Sequence, residues 1–456
     1  MNYVKDYRII IGSRATTNEK RAAAFLQTSI RTVTGKRIPI LTDAEEPCAL
    51  ELCVGRTDRE ETFGVSLERA EDSLWEFEIR TIECRVFLCG LGIHDPAPMP
   101  YTSSYAKLND GAYGTVFAAY KFVEDILGYQ FLYSTYIEFP ENELASVPES
   151  YSVSYTKKHL RAELPSVGKG SMMWSVPNCT QLDGNMSCFI FRADDGRLAV
   201  LDGGRPGDAE HIIEVLEAIA YPEKPRISLW FFSHMHVDHY GVYKSICENP
   251  ELAKRIKVDK FLAHLLPEEF YASLSKEANP NFARVRGLIL ESEGKVCKEY
   301  IQVSEGEEYV LGNLKFTVVH TPSMEFAEQM NMNDSSVVYR LDVGGQRILF
   351  LSDSEYVTSN DLMKNHLDDI WADVVQVGHH GCGNVSRQCY EAIGAKVYLW
   401  QVDNRFWYSE CGEGLNTHNT GVIRTRAYMM ECGARLENVY RDTFGILDFP
   451  LPIEIK

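Results

Sequence analysis

The chain has 456 residues, 45% of them hydrophobic and 24% charged, the composition of a folded globular protein and not of a disordered or collagen-like one. Its formal net charge is −19, with both residues 1–150 and the remainder acidic. Long nucleic acid, bound chiefly through Lys and Arg against phosphates, is therefore disfavoured as a partner. The length predicts two domains.

In chain order, a short strand is predicted at Tyr7–Ile11, then a helix opened by a capping-box pattern at Thr16 and Glu19. Its buried face carries Ala22, Leu26, Ile30 and Val33, and Gly35 is its stop. Further strands are expected at Leu50–Val54, Glu76–Arg80 and Val86–Cys89, and a second helix at Thr115–Leu127, ended by Gly128. The Pro- and Glu-containing stretch Pro140–Ser150 marks the edge of this unit, and the domain boundary is set near residue 155. Met1–Arg14 has no signal-peptide core, and no apolar run is long enough to span a membrane. The twelve cysteines include no Cys-x-x-Cys and read as reduced, buried thiols, which points to the cytoplasm; removal of a leader would make the protein secreted instead.

Tyr7-Arg-Ile-Ile-Ile-Gly-Ser, Thr34-Gly-Lys-Arg-Ile-Pro-Ile-Leu-Thr-Asp, Val54-Gly-Arg-Thr and the helix Ala118-Ala-Tyr-Lys-Phe-Val-Glu-Asp-Ile-Leu-Gly resemble the small α/β accessory domain that precedes the barrels of α-glucuronidases and family-20-type hexosaminidases. The resemblance carries no catalytic residue. For residues 1–155 it implies a small α/β accessory domain, with a glycan contact only by analogy; a homo-oligomer contact or a wall of the active cleft is equally open to it.

Beyond residue 155 the pattern changes to short, nearly continuous apolar runs that suit strands buried on both faces. They are Leu198–Leu201, Leu229–Phe232, Phe316–Val319, Ile348–Leu351, Val374–Val377 and Val397–Trp400. A helix is expected over Asp208–Ala220, with Ile212, Val215, Leu216 and Ile219 on one face. Five of the runs end in a residue able to do chemistry: Asp202, His234, His320, Asp353 and the pair His379 and His380. Strands sharing a sheet edge would bring these ends to one mouth. The stretch 250–312 carries no ligand motif and reads as an insertion shaping the cleft.

Ser233-His234-Met235-His236-Val237-Asp238-His239 puts four potential ligands within six residues. Imidazole and carboxylate together suit zinc, with manganese or iron as alternatives. A surface loop with stray histidines is the bland alternative, and the later His and Asp positions speak against it.

His234-x-His236-x-Asp238-His239, followed in order by Val319-His320-Thr321-Pro322, Leu349-Phe350-Leu351-Ser352-Asp353 and Val377-Gly378-His379-His380-Gly381, resembles the signature of the metallo-β-lactamase superfamily. That resemblance implies an αββα sandwich over residues 156–456 with metals at one edge of the sheets. Asn333-Asp334-Ser335-Ser336-Val337-Val338-Tyr339-Arg340-Leu341 and His379-His380-Gly381 narrow it to the hydrolase domain of DNA-uptake competence proteins and the related phosphorylcholine esterases. Ser352 and Cys382 depart from that pattern, where Gly and Ser are usual.

Carried over residue by residue, the resemblance assigns His234, His236 and His320 to a first divalent ion and Asp238, His239 and one of His379 and His380, with His380 favoured, to a second. Asp353 bridges the two. Asp238 also accepts a hydrogen bond from the nucleophile. His379 faces the substrate, and His418, with Asn404, resembles a late pair near the site. Asp202 orients a ligand histidine or caps the metal loop, the alternative being a simple turn residue. His94, His159, His211, His264 and His366 show no ligand context.

The expected activity is hydrolysis by a hydroxide held on two metal ions, most simply of a small or medium-sized anionic phosphodiester. Hydrolysis of a carboxylic ester, lactone, thioester or amide is the alternative. A vestigial site in a non-enzymatic, glycan-associated module is a third reading.

Overall fold

A computed structural model describes residues 2–92, 113–129, 141–274, 282–410 and 414–456. His94 lies outside the described residues. The chain divides into two compact units, Met1–His159 with Tyr408–His418, and Leu160–Trp407 with Asn419–Lys456.

The first unit is built on a six-stranded mixed sheet of Arg8–Ile11 (β1), Ile40–Thr42 (β2), Glu51–Val54 (β3), Phe77–Ile82 (β4), Arg85–Gly90 (β5) and Ser152–Tyr155 (β6), in the spatial order β2-β1-β3-β5-β4-β6. Helix α1 (Thr17–Thr34) begins with the expected reciprocal capping box between Thr16 and Glu19 and stops at Gly35 in the left-handed region, φ 74°. Helix α2 (Gly114–Leu127) ends in the same way at Gly128. The late segment 408–418 belongs to this unit because of Glu410. Its buried carboxylate accepts hydrogen bonds from Tyr113 (2.6 Å), Tyr120 (2.8 Å) and Arg21 (2.8 Å). A boundary drawn once along the chain misses that return.

The second unit contains two seven-stranded sheets. The first is made of Met172–Ser175 (β7), Cys188–Arg192 (β8), Leu198–Asp202 (β9), Arg226–Phe231 (β10), Lys257–Ala263 (β11), Cys297–Gln302 (β12) and the late strand Leu447–Pro450, which pairs with β7. The second runs in chain order through Glu308–Leu311 (β13), Leu314–His320 (β14), Val338–Val343 (β15), Gln346–Phe350 (β16), Val374–Gln376 (β17), Val397–Trp400 (β18) and Val439–Arg441 (β19). Neighbours from β9 to β12 and from β16 to β19 are parallel.

Period-two alternation places Phe189, Phe191 and Phe231 of one sheet against Phe316, Tyr339 and Phe350 of the other. Phe231 and Phe316 lie 4.7 Å apart, Phe189 and Phe350 5.1 Å. Helices α3 (Ala209–Ala220) and α4 (Val237–Glu248) bury Ile212, Val215, Leu216, Val242 and Ile246 in a second core with Trp230 and Phe261 on the other face of the first sheet. On the other face of the second sheet, Val375 and Tyr398 are buried, on the side of helices α5 (Tyr356–Asn365), α6 (Arg387–Ile393) and α7 (Thr420–Glu431). Two sheets with helices outside each make the expected αββα layering. The stretch 250–312 is no insertion: it supplies β11 and β12 of the first sheet and β13 of the second. Lys257, Asp259 and Lys260 sit on strand faces with solvent access, so these strands lack the apolar runs of the others.

Candidate metal centre

The chemistry-bearing side chains stand at or just beyond the carboxyl ends of β9, β10, β16 and β17: Asp202 ends β9, Asp238 and His239 lie in the first turn of α4, and the others are on the intervening loops and turns. Six of them meet. His234, His236 and Asp353 offer ligand atoms within 4.8 Å of one another, and so do Asp238, His239 and His380. Asp353 faces both sets: Oδ1 lies 3.3 Å from His239 Nε2, while Oδ2 lies 3.8 Å from His234 Nε2 and 3.6 Å from His380 Nε2.

The loop is held by its neighbours. Asp202 accepts hydrogen bonds from the backbone N–H and the hydroxyl of Ser233, each at 2.9 Å, and its Oδ2 lies 2.8 Å from His239 Nδ1. Both roles weighed for Asp202, orienting a histidine and capping the loop, are met by one carboxylate. A proton on His239 Nδ1 leaves the Nε2 lone pair facing Asp353. His380 Nδ1 is fixed in the same way, 2.9 Å from the carbonyl of Gln401. Trp400 Nε1 donates to the His380 carbonyl at 2.6 Å. Gln376 clamps the turn before Asp353: Ser352 N–H donates to its Oε1 at 2.6 Å, and its Nε2 donates to the Ser352 carbonyl at 3.1 Å.

Several of these residues adopt left-handed backbone: Asp202 (φ 61°), Ser352 (φ 51°), His379 (φ 46°), His380 (φ 51°) and Gly381 (φ 80°). Such angles are unfavourable for side chains with a Cβ and persist only where the surroundings enforce them. A Cβ on Gly381 would stand 2.0 Å from Trp400 Cζ2, so only glycine serves there.

Burial favours neutral His234 and His380 and lowers both below the ordinary histidine value. Burial alone would raise the Asp353 carboxyl, but His239 and His380 beside it hold it well below the usual carboxylate range. His239 Nε2, His380 Nε2 and Asp353 Oδ1 are buried and make no hydrogen bond. Three unsatisfied, converging donors of the types that bind zinc fit a metal cage, and isolated polar atoms so buried would otherwise be costly.

His379 stands beside the cage. Its Nδ1 is 2.7 Å from Glu355 Oε1 and its Nε2 3.9 Å from Asp353 Oδ2. Asn333 donates to Glu355 at 2.9 Å, and Asp334 receives the Glu355 and Thr358 N–H groups at 3.2 and 3.0 Å. The Asn-Asp-Ser-Ser stretch thus fixes the start of α5 and, through Ser336, the Asp353 N–H at 3.3 Å. Sequence reasoning passed over Gln376, Glu355 and Arg205. The last, just after Leu201-Asp202-Gly203-Gly204, sets Nη2 3.7 Å from Asp238 Oδ2. The Cys382 thiol is pushed well up by burial and by the charges of Asp403 and Asp353.

The assignment of His320 to the first ion needs correction. Its Nδ1 approaches Asp361 Oδ2 (3.1 Å) and Glu305 Oε1 (3.6 Å), and it groups with Glu305 and His366, not with Asp353. The pairing of β14 with β15 slips between Val318 and His320. Leu314, Phe316 and Val318 face the inter-sheet core, and strict alternation would put His320 there. The irregularity turns it to the opposite face, with its pairing partner Val338. His366, read as having no ligand context, shares this cluster. His264 Nδ1 lies 2.8 Å from the Val303 carbonyl, a structural role. His418 is exposed and belongs to the first unit, and the clusters form without it. Asn404 is buried with neither side-chain polar atom hydrogen-bonded.

Residues 183–382 match the family model described as the metallo-beta-lactamase superfamily. The chain is similar to ComE operon protein 3 of Bacillus subtilis (strain 168), 26% identical over 198 residues, which are 42% of this chain and 23% of that protein; the match therefore spans less than a quarter of the relative. Among solved structures it resembles the metallo-beta-lactamase fold protein YhfI of Bacillus subtilis (13% identity, TM-score 0.36, 61% of this chain and 100% of that one). It also resembles Zn(2+)-bound PqqB of Methylobacterium extorquens (13%, TM-score 0.36, 59% and 88%) and CmlA, a diiron beta-hydroxylase of Streptomyces venezuelae (14%, TM-score 0.38, 63% and 55%). Among the described residues no helix is long and apolar enough to cross a membrane.

Proposed function

From the premise that residues 183–382 form a metallo-β-lactamase superfamily domain, we propose that this protein is a two-metal hydrolase of phosphodiesters of modest size. The carrying observation is the convergence of His234, His236, Asp238, His239 and His380 about Asp353. Two divalent ions of the zinc type, when bound, supply Lewis acidity that activates water near neutral pH and neutralises charge on phosphoryl oxygens.

His234, His236 and Asp353 would hold one ion and Asp238, His239 and His380 the other. Asp238 would also accept a hydrogen bond from the attacking water. Arg205, beside Asp238, adds a fixed cation that favours an anionic substrate over a neutral lactone or ester. His379, whose Nδ1 lies 2.7 Å from Glu355 Oε1, would give a proton to the leaving oxygen.

The test is turnover by the zinc-loaded protein of bis-p-nitrophenyl phosphate beside a lactone and a thioester, with Asp353→Ala as control. The expected result is the highest kcat/KM on the phosphodiester, lost in the control. A higher kcat/KM on the lactone or thioester would overturn the substrate class.

A further inference from the structure

We propose that Glu305, His320, Asp361 and His366 form a separate, mononuclear site for a zinc-type divalent ion. The four come from three places in the second unit: the loop after β12, the end of β14, and α5 with the residue that follows it. Single atoms converge. Asp361 Oδ2 lies 3.1 Å from His320 Nδ1 and 3.4 Å from His366 Nε2. Glu305 Oε1 lies 3.6 Å from His320 Nδ1 and 3.8 Å from His366 Nε2. Glu305, His320 and His366 offer ligand atoms within 4.8 Å of one another, and Asp361 Oδ2 reaches both histidines, separations of the size that donors around one zinc ion show, about 3.3–3.5 Å.

An independent observation points to a ligand. The His320 side chain is 6% exposed, and its Nδ1 stands between the two carboxylates, 3.1 Å from Asp361 Oδ2, without the alignment of a hydrogen bond to either. A cation shared by these groups would satisfy the buried nitrogen and both carboxylates together. The carboxylates are themselves oriented: Asn365 Nδ2 donates to Asp361 Oδ1 at 2.7 Å, leaving Oδ2 to the histidines, and the Thr321 N–H donates to Glu305 Oε1 at 3.0 Å. Glu305 is 42% exposed, which gives an ion its way in. Two imidazoles and two carboxylates suit zinc, with manganese or iron as weaker matches. The ion would fasten α5, whose first residue follows Asp353 by three, to the end of β14.

The experiment is metal counting by mass spectrometry after equilibration with zinc alone and removal of excess by dialysis. Wild-type protein is expected to keep about three ions and His366→Ala about two, with phosphodiester turnover in that variant within about twofold of wild type. Glu305→Gln, at an exposed position, is read in the same way should His366→Ala fail to fold. A second reading is independent of hydrolysis. Cobalt(II)-loaded Asp353→Ala should lose, on addition of His366→Ala, the visible absorption of one four-coordinate ion. Wild type retaining only two ions, a count unchanged by His366→Ala and Glu305→Gln, or absorption unchanged in the double variant would each overturn the proposal.

Discussion

Asp202 and His239 are joined at 2.8 Å through Oδ2 and Nδ1, and that one contact decides which imidazole nitrogen faces the cage. Asparagine at 202 keeps an acceptor for the Ser233 N–H but offers no second carboxylate oxygen to the imidazole. Asp202→Asn is expected to weaken retention of the second ion by about 10- to 100-fold, read by zinc competition against a chromophoric chelator. Unchanged affinity would show that His239 needs no such partner.

The Glu355–His379 pair, 2.7 Å apart, lies outside both ligand sets. Glu355→Gln should lower kcat on the order of 100-fold for a diester with an alkyl leaving group. It should do far less for p-nitrophenolate, which departs without a proton. An equal loss on both substrates would mean that the pair positions substrate and does not transfer a proton.

Asp442 is buried, and burial raises its carboxyl from 3.8 to about 7 despite the hydrogen bond donated by the Ser175 hydroxyl at 2.9 Å. The folded state therefore holds a proton that the unfolded chain has lost between about pH 4 and 7. Stability from this group is full below pH 4 and declines as pH rises through 7, by up to about 4 kcal/mol. Asp442→Asn should remove that slope. In urea titrations at pH 4.5 and 7.5, the variant should gain on wild type at the higher pH only; equal differences at both would refute the assignment.

Gly381→Ala meets two obstacles, a left-handed φ of 80° and a Cβ placed 2.0 Å from the Trp400 ring. Destabilisation of about 2–4 kcal/mol is expected. Metal affinity should fall as well, because Trp400 also holds the His380 carbonyl. A thermal midpoint within a degree of wild type would contradict this.

What could be read from sequence was what is local. His234 to His239 fall within six residues, on the loop after β10 and the first turn of α4, so their spacing alone pointed to a cluster, and Asp353 and His380 followed from strand ends that keep regular alternation. His320 had the same local signature but sits beyond a one-residue slip in strand pairing, which no side-chain pattern encodes. Arg205 and Glu355 carry no motif of their own; their roles depend on Asp238 and His379, which are distant in sequence. The strands of residues 257–302 were missed because Lys257, Asp259, Lys298 and Glu299 break the apolar runs by which buried strands are recognised. The return of residues 408–418 to the first unit rests on Glu410, a charge that sequence patterning assigns to the surface.

The left-handed angles at Asp202, Ser352, His379 and His380 fall on or next to the proposed ligands and their supports. Each costs about 1 kcal/mol or more, a strain that the rest of the domain has to outweigh. Relaxing any one of these turns would make the protein sturdier while loosening the side chains it aims.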